Sequence, residues 1–279
     1  MKTMGDLLAA RPLSGALGAE ITGVDLSRPL GTAAAAEIRQ ALLDHLVIFF
    51  AAQELTPKSL LAFARCLGEP LAYPQLQGLP EEPLVTAVTK LEHERVAFGG
   101  VGHTDTSYLE RPPMGSLLYA VELPPWGGDT LFANQYLAYE RLSGGLQRTL
   151  AGLTAICTSA KPAVAATREE RLREQGAQAL VLTSEHPVVR THPETGRKVL
   201  YVNRGHTSHF KGWSEAESRP LLEYLFQHQV QPELTCRYRW RPGSLAVWDN
   251  RCTQHLPIND YHGFRRVMHR VTLAGDRPS

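Results

Sequence analysis

From residue 115 to residue 273 the chain reads as a succession of short β-prone segments cut by turn residues, and this pattern limits the fold more than any other feature. Residues 116–123, 130–133, 199–203, 234–240, 244–248 and 267–273 are rich in β-branched, aromatic and aliphatic side chains, and Pro124-Pro125, Gly127-Gly128 and Pro242-Gly243 punctuate them. Short strands at such intervals predict two packed sheets, a sandwich or a jelly roll. Helices flank this region. In 33–46 the apolar residues Ile38, Leu42, Leu43 and Leu46 recur at helical spacing and run into the β-prone Val47-Ile48-Phe49-Phe50. Residues 57–66 predict a second helix, opened by Thr56 as N-cap with Pro57 at the first helical position and ended by Gly68.

Two later stretches also read as helical: 134–150, with a break expected at Gly144-Gly145, and 216–230, where Ser214 with Glu217 competes with Ser218 as the cap and Pro220 blurs the start. The Arg- and Glu-rich segment 167–176 predicts a solvated helical insertion. No internal repeat, low-complexity tract or long linker divides the sequence, so residues 1–279 are expected to act as one domain.

With 43% hydrophobic residues in 279 there is enough apolar material for a substantial core. Lys plus Arg (29) nearly cancels Asp plus Glu (28), so no global field favours nucleic acid or an anionic membrane and charge selectivity must be local. The apolar run 7–10 is too short for a signal peptide and no later run approaches a membrane span, which predicts a soluble cytoplasmic protein. Cys66, Cys157, Cys236 and Cys252 form no C-x-x-C pair and are expected to be reduced structural thiols.

The chemistry concentrates in Gly99-Gly100-Val101-Gly102-His103-Thr104-Asp105. On an extended strand side chains two apart share a face, so His103 and Asp105 can bind one metal ion from one strand. The pair is weak alone, because a core histidine followed by a turn-forming aspartate gives the same pattern. A third ligand is required. His255, beyond the predicted strand that ends at Trp248, is the best placed. Two His and one carboxylate leave three positions of an octahedral ion open, which suits iron(II) better than zinc. Downstream, the alternation in Arg265-Arg266-Val267-Met268-His269-Arg270 puts Arg266 and Arg270 on one face of a strand close to that ligand. Two inward cations need anions, and planar Arg forks match carboxylates or sulfonates. Pairing with surface acids is the plain alternative.

Taken together, Gly18 to Leu26, His103-Thr104-Asp105, Pro125 to Asn134 with its Trp-Gly-Gly-Asp-Thr core, Pro187-Val-Val-Arg-Thr-His-Pro-Glu-Thr-Gly196, and Trp248-Asp-Asn-Arg through Arg270 cover nearly the whole chain. In these segments it resembles the taurine dioxygenase family of 2-oxoglutarate-dependent oxygenases, which also contains the aryloxyalkanoate and alkylsulfate dioxygenases. The resemblance implies a mainly β fold with flanking helices, a distorted jelly roll or double-stranded β-helix. It implies Fe(II) on His103, Asp105 and His255, with 2-oxoglutarate and O2 as cosubstrates. Arg266 and the hydroxyl of Thr130 would hold the distal carboxylate of 2-oxoglutarate, and Arg270 an anionic group of the substrate. The expected reaction is hydroxylation of a small anionic molecule, a sulfonate, alkyl sulfate, aryloxy or other carboxylic acid, with release of succinate and CO2. Asp105 fills the carboxylate position, leaving no place for a halide ligand. The expected partner is therefore a small molecule, not nucleic acid or membrane, and a homo-oligomer is compatible with this.

The sequence departs from the taurine enzymes where they carry an Asn four residues before the first iron-binding His, a position held here by Gly99. A His of theirs falls on Pro70 while a Tyr is kept as Tyr73, and two Phe near their substrate align with Ser159 and His206. These exchanges remove groups that fit a very small aminosulfonate and argue against taurine itself. Tyr73 and His206 are candidates for the substrate pocket. Two other readings stay open: an oxygenase tailoring a specialised-metabolism intermediate, and a metal-binding jelly roll without oxygenase activity, which would leave Thr130 and Arg266 unexplained.

Overall fold

The computed structural model describes residues 8–279 except 75, 97, 98, 163, 166–168, 170, 171 and 173–179. In chain order the elements are β1 (Ala9–Pro12), β2 (Ala19–Thr22), α1 (Thr32–His45), β3 (Val47–Phe50), α2 (Pro57–Leu67), β4 (Pro70–Leu71), β5 (Val85–Lys90), β6 (Gly115–Glu122), β7 (Thr130–Asn134), α3 (Gln135–Glu140) and α4 (Gly144–Leu150). They continue with β8 (Thr154–Thr158), β9 (Thr183–Pro187), β10 (Val189–Thr191), β11 (Lys198–Leu200), β12 (Thr207–Phe210), α5 (Glu215–His228), β13 (Thr235–Tyr238), β14 (Leu245–Asp249), β15 (Thr253–Pro257) and β16 (Arg266–Leu273).

A large sheet runs β1-β2-β3-β14-β6-β16-β4, with β5 also paired to β16, and a smaller sheet runs β13-β7-β15. The period of two along β14 explains how they pack. Leu245 and Val247 face one way, into a core shared with Ile38 and Leu42 of α1 and Leu60, Leu61 and Phe63 of α2. Ala246 and Trp248 face the other way, joining Phe49, Phe132, Tyr238 and Met268 between the two sheets. Every residue of β14 is buried, as a central strand covered on both faces requires. Phe49 stacks on Tyr238 with centroids 3.8 Å apart, and Phe132 meets Phe49 edge-on at 5.7 Å. Truncating one such buried ring costs about 3–5 kcal/mol, so these contacts fix how the sheets face each other. Along β16 the same alternation sends Val271 and Leu273 to the helix side and Arg266, Met268 and Arg270 to the space between the sheets.

The helix signals are met closely at α2, where the Thr56 hydroxyl accepts from the Ser59 amide and Ser59 returns the bond to the Thr56 amide. For α5 the structure chooses Ser214 as cap in a box with Glu217, while the Ser218 hydroxyl donates to the Ser214 carbonyl and accepts from the Phe210 amide. Other expectations need correction. The interruption between α3 and α4 falls at Arg141 to Ser143, because the Ser143 hydroxyl caps α4 and Gly144-Gly145 open that helix instead of breaking one. The strand expected over 199–203 stops at Leu200. The insertion expected over 167–176 lies almost entirely outside the described residues. All four cysteines are free thiols, three of them buried, and burial pushes Cys157 up to about 11, which makes it unreactive. No helix among the described residues is long and apolar enough to cross a membrane.

Candidate active site

The two histidines are brought together by backbone pairing. His103 and His255 form an isolated antiparallel bridge in which each amide donates to the other's carbonyl, at 3.0 and 2.9 Å. Directly opposed residues emerge on the same face, so both imidazoles point into the space between the sheets, with ring centroids 4.3 Å apart. His255 does not lie beyond the end of a strand, as expected. It sits inside β15, opposite Phe132 of β7, with its ring 4.8 Å from Trp248. Nor do His103 and Asp105 share a strand: His103 makes only the bridge, and the chain turns at Asp105, with Thr106 at φ 39. The carboxylate reaches the histidines through that turn, and Thr104 anchors it by donating to the Thr253 carbonyl.

Asp105 is 1% exposed and its two oxygens have different surroundings. Oδ2 accepts from the Ser116 hydroxyl at 2.8 Å and pairs with Arg270 Nη2 at 2.6 Å. Ser116 in turn accepts from Asn250 Nδ2, and Asn250 Oδ1 accepts from Trp248 Nε1. Oδ1 has no hydrogen-bond partner and lies 3.5 Å from His103 Nε2 and 3.8 Å from His255 Nε2. A buried oxygen left bare costs stability unless something occupies it. The His103 Nδ1 contact with the Val101 carbonyl, which can only accept, puts the ring proton on Nδ1 and leaves the Nε2 lone pair facing Oδ1. These three ligand atoms fit a divalent cation. Burial would raise the Asp105 carboxyl, but the Arg270 guanidinium beside it outweighs that and holds it well below the usual range. Burial, with His103 adjacent, lowers His255 to about 3, so it stays a neutral ligand.

A second group, His192, Asp249 and Cys252, has metal-like spacing, but the nitrogens of His192 and the oxygens of Asp249 are already engaged. Asp249 accepts from His192 Nε2, from Arg251 Nε and Nη2 and from the Arg251 amide, while His192 Nδ1 accepts from the Glu194 and Thr195 amides. It is a hydrogen-bonded strut.

Beyond the histidines the cleft is lined by Val88, Leu118, Thr130, Pro257, Arg266 and Arg270. Arg266 is 6% exposed, its Nε and Nη2 have no hydrogen-bond partner, and burial lowers it against the pull of Tyr261 and Asp129. The Thr130 hydroxyl accepts from Trp240 Nε1 at 3.0 Å; since an indole N–H only donates, the Thr130 proton is left to donate elsewhere. The Gly127-Gly128 turn, with φ 73 and 70, lets this end of β7 close up, because a Cβ at Gly128 would stand 3.3 Å from the Tyr261 ring and 3.4 Å from Arg266 Cδ.

Arg270 is not the free cation expected from the sequence, since Asp105 and Ser116 engage its Nη2; its Nε has no hydrogen-bond partner. Tyr73 lies against this guanidinium, 4.8 Å from its ring centroid, and the His206 ring is edge-on to His103 at 5.9 Å. Ser159 is fully buried, its hydroxyl accepting from the Leu182 amide in the turn after β8. Gly99 has a local reason: at φ 75, a Cβ there would stand 2.7 Å from His103 Cε1. Sequence reading missed Ser116 and Asn250. Asn250 lies in the Trp248-Asp-Asn-Arg segment, but nothing local marks Ser116.

Two facing sheets enclosing two His and one carboxylate define a jelly-roll protein of the facial-triad class. Residues 9–272 match the family "Taurine catabolism dioxygenase TauD, TfdA family", and the chain belongs to it. It is 38% identical to the alpha-ketoglutarate-dependent sulfate ester dioxygenase of Pseudomonas putida over 97% of this chain and 91% of that protein. A crystal structure titled as a putative alpha-ketoglutarate-dependent taurine dioxygenase from Burkholderia xenovorans superposes with a TM-score of 0.84 at 38% identity, covering 97% of this chain and 94% of that one. AAD-2 in complex with Mn(II) and N-oxalylglycine superposes with a TM-score of 0.83 at 26% identity, covering 98% and 99%. The distorted jelly roll expected from the resemblance is thus the fold observed.

Proposed function

We propose that this chain is an Fe(II)- and 2-oxoglutarate-dependent dioxygenase, acting as one catalytic domain, that hydroxylates a small anionic substrate and releases succinate and CO2. His103, Asp105 and His255 hold the iron, Arg266 and Thr130 hold the distal carboxylate of 2-oxoglutarate, and Arg270, Tyr73 and His206 face the substrate. One observation carries the reading: the cleft that begins at the three ligands ends at a buried guanidinium with two unpartnered N–H groups, beside a threonine hydroxyl whose proton is unused. A metal-binding jelly roll without oxygenase activity has no use for that end of the cleft. A planar fork and a hydroxyl are what a carboxylate at fixed distance from a chelated metal requires. N-oxalylglycine, the ligand named with AAD-2, is 2-oxoglutarate with an N–H in place of a methylene, which supports the same assignment.

With 2-oxoglutarate bound, the iron supplies O2 activation coupled to oxidative decarboxylation. The chain's own part is to hold the cosubstrate by both ends, keep His255 neutral and Asp105 anionic, and present one C–H of the substrate. Within the anionic class we favour a sulfate ester, the substrate named for the Pseudomonas putida relative. Hydroxylation of the carbon bearing the ester oxygen would let the product collapse to an aldehyde and inorganic sulfate. We place the enzyme in the cytoplasm, acting on neither nucleic acid nor membrane, in keeping with a net charge of +1.

Anaerobic addition of Fe(II) and 2-oxoglutarate is expected to give a weak visible charge-transfer band, lost in His103→Ala, Asp105→Ala and His255→Ala. Its absence from the wild type at saturating 2-oxoglutarate overturns the reading. Succinate release over a panel of sulfate esters, sulfonates and aryloxy acids then ranks the substrates.

A further inference from the structure

Lys90, the last residue of β5, stands directly opposite Arg266 in the ladder with β16. Opposed residues of an antiparallel pair project from the same face, so two cationic side chains leave the sheet next to each other. Both are buried, Lys90 at 3% and Arg266 at 6% exposure. Val88, two residues earlier on β5 and therefore on that face, lines the cleft together with Arg266. Lys90 Nζ has no hydrogen-bond partner, and neither cation is in an ion pair among the described residues. The ammonium lies 4.5 Å from the centroid of the Tyr261 ring, and the Tyr261 phenol in turn feels the Arg266 guanidinium. Asp129, whose field reaches Arg266, is already held by Arg237 at 2.7 Å.

Two buried like charges facing each other across a ladder are unfavourable without an anion, and a cation–π contact offsets only a minor part of the cost of burying an ammonium. We propose that Lys90 is a second cationic ligand for the carboxylate that Arg266 holds, an inference that rests on Arg266 being the 2-oxoglutarate anchor. The distal carboxylate then receives the two free N–H groups of Arg266, the Thr130 proton and the Lys90 ammonium. The site thereby selects 2-oxo dicarboxylates over 2-oxo monocarboxylates of equal length.

The test is a cycle of variants against cosubstrates, read by calorimetric binding to the Mn(II)-loaded protein under argon. 2-Oxoglutarate is compared with 2-oxovalerate, which lacks the distal carboxylate. Lys90→Met is expected to weaken 2-oxoglutarate roughly tenfold or more while leaving 2-oxovalerate unchanged, with Lys90→Arg restoring most of the loss. Lys90→Gln replaces Lys90→Met if the latter does not give the wild-type melting transition. Equal losses for both ligands make Lys90 a packing residue and overturn the proposal, as does no loss for either. Arg266→Met in the same series separates the two readings: if 2-oxoglutarate binds it as tightly as wild type, the anchor itself is misassigned whatever Lys90 does.

Discussion

Asp105 stays ionised in a site where burial alone would protonate it, and the counter-charge is Arg270 at 2.6 Å. The sequence suggests that Arg270 waits for the substrate, whereas the structure pairs it first with Asp105, the proposed metal ligand. Both can hold, because only Nη2 is engaged by Asp105 and Ser116 while Nε has no hydrogen-bond partner. A protonated carboxyl is a poor metal ligand, so the sign of the pH effect follows. In the wild type the depressed pKa contributes stability above the unfolded carboxylate range and loses it as pH falls through the folded value. In Arg270→Met that pKa rises, and the acid limb of Mn(II) affinity should move to higher pH. Titrating Mn(II) by electron paramagnetic resonance between about pH 5 and 8 checks it, and coincident limbs in the two proteins would remove Arg270 from the support of Asp105. The same variant should form more succinate per hydroxylated product if Arg270 also orients the substrate.

At the scale of elements, the site is assembled from segments that are short and unlike one another. His103 comes from a single bridge, Asp105 from a turn, His255 from β15, Arg266 and Arg270 from β16, and Thr130 from the first residue of β7. A stacked contact with Phe132 and a tilted one with Trp248 hold the His255 ring, so its aim depends on packing between sheets. The helices work from outside: α1 and α2 cover the opposite face of the large sheet and contribute no group to the cleft. Thr56→Ala, which removes the hydroxyl that accepts from the Ser59 amide, should therefore cost about 1 kcal/mol of stability while leaving Mn(II) and 2-oxoglutarate affinity at wild-type values. Urea melts with unchanged slope, alongside the binding measurements, would show whether stability and site are separable in this way.

Over the whole molecule, two stretches far apart in sequence prove to be one structure. Asp249 and Arg251, in Trp248-Asp-Asn-Arg, meet His192 and Glu194, in Thr191-His-Pro-Glu-Thr, and Glu194 passes the network on to Arg39 of α1 at 2.8 Å. Arg251 is paired with both Asp249 and Glu194 at 2.6 Å, and the charge of Asp249 keeps it fully protonated. The strut ties the end of β14, which carries Trp248 and leads to Asn250, to the helical layer and the turn after β10. Asp249→Ala leaves a buried histidine without its partner and a buried arginine with Glu194 alone, and should cost about 3–5 kcal/mol. Glu194→Ala, at a partly exposed pair, should cost about 1 kcal/mol or less. Denaturant melts of the two variants test the ranking, and a reversed order would mean that the strut bears little of the fold.

Local sequence was sufficient for whatever depends on neighbours along the chain. The period of two in β16, the cap at Thr56, and the sharing of a face by Arg266 and Arg270 follow from backbone geometry and were legible without the fold, whereas the choice of Ser214 over Ser218 as the cap of α5 was not. So were the three candidate iron ligands, once the spacing of His103 and Asp105 was combined with a resemblance spread over the chain. The mode of their assembly was not. Pairing of His103 with His255, 152 positions further along the chain, is decided by sheet register, which no local signal encodes. Counter-charge is likewise a tertiary matter: that Asp105 takes Arg270, that Asp249 takes Arg251 and His192, and that Lys90 and Arg266 are left facing each other without an anion depends on which strands become neighbours. Residue type shows that a side chain is charged, but the energy of that charge is set by burial and by what stands within a few ångströms of it, and only the folded chain supplies both.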